Sequence, residues 1–157
     1  MVAALLNLFE DLNLDRLRLV RPTKFVFLCG GIIKEGGFSR PDSLRDYLWR
    51  VCLLSRRLKG EVVLAEKANQ LYRETKYTDL ISFEEDIARI ASLVLVIAES
   101  PGSLAELGAF SSNDVISKSL RVIMQQKYAK AESFVRWGPV ERLKNDSDDY
   151  LVFFPGE

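Results

Sequence analysis

This sequence of 157 residues contains no histidine. Serine–histidine and cysteine–histidine triads are therefore excluded, as are histidine metal sites, and chemistry falls to carboxylates, lysine, tyrosine, hydroxyls or backbone dipoles. Carboxylates are the favoured agents. The first candidate is Glu106, in Ser103-Leu-Ala-Glu-Leu-Gly-Ala-Phe110, just behind the apolar run Leu93 to Ala98 and the turn Glu99-Ser-Pro-Gly102. Two roles are open to it. Ser103-x-x-Glu106 fits a capping box that stabilises the helix start by about 0.5–2 kcal/mol. Alternatively, the positive end of the helix holds Glu106 ionised at neutral pH, as a carboxylate nucleophile requires. A second candidate lies upstream, where Ser82-x-x-Glu85 reads as another capping box. With Glu85 occupied there, Glu84 is the free carboxylate and Asp86 its fallback. Two carboxylates at one hollow are equipment for nucleophilic and general acid–base chemistry.

Other residue types suggest substrate contacts. Gly30-Gly31 follows a buried strand and leaves backbone amides facing an anionic or sugar group. Glu66 stands at a strand's carboxyl end, where a carboxylate accepts from two ribose hydroxyls, or is an ordinary first-turn helix residue. The turn contributes Glu99, Ser100, Gly102 and Ser103, with Gly102 allowing a ligand close to the backbone. Asn113, at the far end of the same helix, reaches a substrate hydroxyl or merely caps. No residue set suggests a resident metal or cofactor. Gly36-Gly37 comes too late after Gly30 for a dinucleotide fingerprint. Tyr72 and Tyr77 are available to a cleft, and Trp137 stacks on a base or packs beside Gly138-Pro139.

These residues need a scaffold that brings them to one edge, and the hydrophobic pattern supplies it. Five short apolar runs read as strands: Phe25 to Cys29, Glu61 to Ala65, Leu93 to Ala98, Leu120 to Met124 and Tyr150 to Phe154. Helical spacing marks Asp42 to Lys59, with Arg45, Arg50, Arg56 and Arg57 assigned to its wet side. It also marks Lys67 to Thr78, Thr78 to Ser92, Ser103 onward, and a short helix through Arg142. Leu5, Leu8, Phe9 and Leu12 make residues 3–12 an amphipathic pattern. Ile33 to Arg40 is a loop that serves as a flap or a connector. Alternation of strands and helices predicts a three-layer α/β/α domain with a five-stranded, mainly parallel flavodoxin-like or Rossmann-like sheet in the order 2-1-3-4-5. One domain spans residues 1–157, with 1–22 as an N-terminal helical extension. In that topology the helix ending at Ser92 starts at the same sheet edge as the helix carrying Glu106. Glu84 and Glu106 are therefore expected to meet.

Three blocks carry a family resemblance: Phe27-Leu-Cys-Gly-Gly31, Glu99-Ser-Pro-Gly-Ser with Glu106-Leu-Gly-Ala-Phe110, and Gly138-Pro-Val140. The middle block resembles the segment bearing the catalytic glutamate of nucleoside 2-deoxyribosyltransferases. All three in this order are similar to the deoxyribosyltransferase-like effectors of bacterial retrons, antiphage systems that pair a reverse transcriptase with a toxin-like protein. The resemblance spans roughly residues 24–144. It implies an N-glycosidase that cleaves the base–ribose bond of NAD or a related purine nucleotide, with Glu106 as nucleophile and Glu84 matching the position of the family's proton-handling aspartate. It also implies a homo-oligomer and a retron reverse transcriptase with its RNA–DNA hybrid as inhibitory partner. A nucleoside deoxyribosyltransferase of salvage and a non-catalytic nucleotide-binding scaffold are the alternatives. Two departures stand out. The family's first-strand tyrosine is matched here by Phe27, which has no hydroxyl, and no block here matches the winged-helix DNA-binding region common in such effectors.

Composition fits this reading. Hydrophobic residues make up 48% of the chain, enough for a core, and 22 basic residues cancel 22 acidic ones, leaving no global field toward nucleic acid or membrane. The apolar runs fall short of the ~20 residues that cross a bilayer, and the start lacks a basic secretion signal, so a cytoplasmic location is expected. Cys29 and Cys52 have no paired spacing and read as reduced thiols. Cys29, near the expected site, is predicted to be open to alkylation.

Overall fold

A computed structural model describes residues 24–34, 40–55 and 62–155. The amphipathic segment 3–12, most of the Ile33 to Arg40 loop and the arginines at 56 and 57 lie outside the described residues. Five strands, β1 (Val26–Cys29), β2 (Val62–Leu64), β3 (Leu93–Ala98), β4 (Leu120–Gln125) and β5 (Leu151–Phe154), form one sheet in the order β2-β1-β3-β4-β5. All four pairings are parallel. The expected architecture is the one observed, and the sheet is entirely parallel rather than mainly so. Its central strand β3 is apolar throughout because both of its faces are covered, which is how a parallel strand satisfies its side chains.

The pleat sorts alternate residues to two layers. Phe27 and Cys29, Val94, Val96 and Ala98, and Val122 and Met124 meet α2 (Ala65–Tyr72), α3 (Leu80–Ile90), α4 (Pro101–Ser112) and α6 (Glu141–Asp146) through Ala68, Phe83, Ala88, Leu107, Phe110 and Leu143. Leu28, Leu64 and Ile97 face the other way, onto Leu44, Leu48 and Trp49 of α1 (Leu44–Leu54). A short α5 (Gln126–Lys130) and a π-helical turn at Arg136–Val140 link β4 to α6. Phe27 lies in the main core with its ring 6.3 Å from that of Phe110.

Three helix starts differ from the sequence expectation. The first helix is shorter than Asp42 to Lys59: Ser43 caps it by accepting from the Asp46 amide, and the helix closes at Leu54. The next difference is at α3, where Asp79 rather than Ser82 is the cap, its carboxylate accepting from Ser82 N at 2.8 Å. Glu85 is left out of that cap and pairs loosely with Arg89. At α4 the cap is Ser100, not Ser103; Ser100 and Ser103 bond reciprocally, and Pro101 opens the helix. Proline decides this shift, because its fixed φ and missing N–H suit the first helical position. Glu106 therefore stands in the second turn and belongs to no capping box.

Candidate functional site

The helices α3 and α4 both start at the carboxyl edge of the sheet, as the connections around a parallel sheet require, and α2 follows directly on β2 at that edge. Between them lies a cavity of about 330 Å³ lined by Asn69 of α2, Leu80, Ile81 and Glu84 of α3, and Gly102, Ala105, Glu106, Ala109 and Phe110 of α4. Both candidate catalytic carboxylates thus face one hollow. Of the proposed substrate contacts, only Gly102 lines it. A more open cavity of about 400 Å³ lies on the other flank of α4, beside Gly108, Phe134, Trp137 and Arg142, and holds neither residue of the pair.

Glu84 is 7% exposed. Burial raises its pKa, while a hydrogen bond from Asn69 and the charge of Arg45 counter that rise and Glu66 adds to it. Asn69 sits between two acceptors, so its side-chain NH2 must face them: Nδ2 donates to Glu84 Oε1 at 2.7 Å and to the Ala65 carbonyl at 3.3 Å. Glu106 is pushed up to about 7 by burial first and by the Glu84 carboxylate second, with Arg45 opposing and Glu66 contributing. The helix N-terminus does not keep Glu106 ionised, because in the second turn the dipole is too distant to offset desolvation. Near neutrality Glu106 passes between its protonated and ionised forms, while burial makes Glu84 hold its proton more tightly than a free glutamate.

Arg45 is the electrostatic keystone of this edge and was misplaced on the wet side by its helical spacing. It is 2% exposed. Nη1 donates to Glu66 Oε1 at 2.6 Å and to the Gly31 carbonyl at 3.1 Å, while Nη2 donates to Glu66 Oε2 at 2.5 Å and to the Leu28 carbonyl at 2.8 Å. Such a planar fork matches a carboxylate and leaves both Glu66 oxygens occupied. Glu66, 52% exposed at its side chain, therefore serves first as Arg45's counter-ion instead of offering two free acceptors to ribose.

The remaining candidates are mostly architectural. Glu99 accepts from the backbone amides of Gly31 at 3.1 Å, Leu44 at 2.9 Å and Arg45 at 3.0 Å, so it caps α1 and ties the end of β3 to the end of β1. That bond takes the Gly31 amide expected to face a ligand. Gly30, at φ +157, lies with its Cα hydrogen against Arg45 and Ile97; a Cβ there would come within 2.8 Å of Arg45 Cδ. Ser103 is buried, its Oγ accepting from the Glu99 and Ser100 amides. Asn113 ends α4 with its backbone N–H on the Phe110 carbonyl, and its Oδ1 accepts from the Val115 and Ile116 amides of the next turn, about 10 Å along the axis beyond Glu106, which removes it from the hollow. Tyr77 donates to Asp86 and stacks edge-on against Phe83, as Tyr72 packs on the same ring. Cys29 is fully buried with its thiol pushed well up by burial, contrary to the expected alkylation sensitivity. Among the described residues no cluster of three acidic or cysteine side chains has metal-binding geometry, and no helix is long and apolar enough to cross a membrane.

Two site residues were missed by sequence reasoning. Arg45 had a weak signal, since it shares a helical face with Leu48 and Trp49 of the sheet-facing stripe. Asn69 had one too, as it follows Glu66 by three positions and so shares its face.

Comparison with known proteins bears on this geometry. The Retron Ec73 putative ribosyltransferase/DNA-binding protein of Escherichia coli is 29% identical over 125 residues, covering 79% of this chain and 39% of its own length. Its Retron Ec86 counterpart, also from Escherichia coli, is 29% identical over 128 residues, covering 76% of this chain and 37% of its own length. The chain thus spans less than two fifths of the length of either relative. The profile of the family described as STM3845 retron effector protein matches residues 41–157, the stretch that carries Arg45, Asn69, Glu84 and Glu106. On that match over most of its length, this chain belongs to the STM3845 retron effector protein family.

Proposed function

We propose that this chain is the nucleotide-processing domain of a retron antiphage effector and cleaves the N-glycosidic bond of NAD or a related purine nucleotide. The single observation behind this reading is that Glu84 and Glu106, from separate helices, line one cavity of about 330 Å³ whose other walls are mainly apolar. That volume accommodates a sugar with an attached base. The ribosyltransferase in the names of the two relatives points to the same bond.

In this reaction the ionised Glu106 carboxylate attacks C1′ of the ribose as the bond to the base breaks, and the bonding electron pair leaves on the base nitrogen. Nicotinamide, cationic in NAD, departs neutral and needs no proton, whereas a neutral purine takes the proton that Glu106 gives up as it ionises, relayed by Glu84. Water then attacks the glycosyl ester with Glu84 accepting its proton. Glu106 is released, and the net products from NAD are ADP-ribose, nicotinamide and one proton. Because Glu106 titrates near 7, base release rises with pH through that region. In the cell the full effector would act in the cytoplasm as an oligomer, held silent by the retron reverse transcriptase and its RNA–DNA hybrid.

Chromatography of NAD and a panel of deoxynucleotides after incubation tests this. Wild type releases free base, Glu106→Gln releases none, and Glu84→Gln slows purine release more than nicotinamide release. Exchange of bases between deoxynucleosides without net hydrolysis would select the salvage transferase instead. Nucleotide bound and returned intact by a well-folded wild type, alone and with its retron partners, would select a binding scaffold.

A further inference from the structure

Among the described residues the cavity is lined by one polar side chain besides the two carboxylates, and its position gives it a task. Asn69 reaches Glu84 from α2 at 2.7 Å, is held on its own helix by the Ala65 carbonyl, and lines the hollow shared with Glu106. An NH2 donor can satisfy an ionised carboxylate but gives nothing to the O–H of a protonated one, so the contact favours the charged form of Glu84. We propose that Asn69 is a positioning residue that fixes Glu84 as the charged member of the pair and thereby assigns the shared proton to Glu106. This deepens the glycosidase reading and rests on it for its catalytic meaning.

The groups that bear on the pair come from every element around it. Arg45 of α1 faces both carboxyls but is committed to Glu66, and Glu66 of α2 adds negative charge. Cys29 at the end of β1 is buried and protonated. On α3 itself, Asp86 is bonded to Tyr77, and Glu85 pairs with Arg89 on the outer side. None of these donates a hydrogen bond to Glu84. Among the described residues, Asn69 alone distinguishes one carboxyl from the other by direct contact. A cationic ring entering the cavity favours loss of the proton from Glu106 and so arms the nucleophile when the substrate arrives.

The test is a titration of the side-chain carboxyl carbons of 13C-glutamate-labelled protein by NMR, with Glu84→Gln and Glu106→Gln serving to assign the two signals. In wild type Glu84 ionises at lower pH than Glu106. In Asn69→Leu and Asn69→Ala the Glu84 midpoint rises by about one pH unit, as expected for loss of a hydrogen bond to a charged acceptor, and the Glu106 midpoint falls. Glu84 titrating above Glu106 in wild type would overturn the proposal, whether or not the variants fold. So would unchanged midpoints in either folded variant. The rising limb of the pH profile of kcat/KM for base release then shifts to lower pH in the variants. A wild type that releases no base while its titrations behave as stated refutes the glycosidase reading and leaves the proton assignment standing.

Discussion

Replacing Glu106 with glutamine isolates the cost of burying a charge at the centre of this site. Folding moves the carboxyl from its ordinary value of 4.5 to about 7, chiefly because it leaves water and next because Glu84 is beside it. Between those two values the folded chain binds more protons at this site than the unfolded one, so the contribution of Glu106 to stability is fully present below pH 4.5 and is lost as pH rises through 7. At about 1.4 kcal/mol for each tenfold change, the full difference is about 3 kcal/mol. Glutamine has nearly the same shape and no charge. Glu106→Gln should therefore match wild type near pH 4.5 and exceed it by up to about 3 kcal/mol near pH 8, which for a chain of this size is a rise of roughly 6–12 °C in Tm. Thermal unfolding followed by circular dichroism at both pH values measures this directly. A stability gain of equal size at both pH values, or a loss at both, would refute the reasoning, since neither follows from titration of a buried carboxyl. The expected pattern is also what a catalytic position predicts, stability given up in order to keep a charge where water is scarce.

Other parts of the site make independent predictions. Glu99→Gln keeps the shape but loses the charge that three backbone amides share, and should lower the free energy of unfolding in urea by about 1–2 kcal/mol; an unchanged midpoint would dismiss its capping role. Gly30→Ala brings a methyl to 2.8 Å from Arg45 Cδ and 3.1 Å from Ile97 Cβ, and should cost about 1–3 kcal/mol by the same measurement. With a thiol reagent under native conditions, Cys52 should label before Cys29, because Cys52 is only partly buried; rapid native labelling of Cys29 would contradict its burial.

The architecture is legible in the amino-acid pattern alone, and the same pattern points to carboxylates as the candidate reacting groups. Unbroken apolar runs, alternating with amphipathic stretches, admit few arrangements other than a parallel sheet with helices on both faces, and the strand order followed. With no histidine in the chain the chemistry falls to carboxylates, and the antiparallel relation between the Glu84 helix and β3 already predicts Glu84 and Glu106 at one edge of the sheet. The state and the company of those groups follow only from the folded chain. Sequence spacing reports which face of a helix a residue occupies, but not whether that face at the helix end meets solvent or the edge of a sheet. Arg45 was therefore placed in water when it is the buried counter-ion of Glu66. Desolvation likewise has no local signature, so a helix start that seemed to promise an ionised Glu106 instead holds one whose proton leaves only near neutrality. Hydrogen bonds between residues far apart in the chain, such as those of Glu99 with Gly31 and Leu44, exist only once two strands and a helix have converged. They turned most of the expected ligand contacts into the frame that holds the two carboxylates in place.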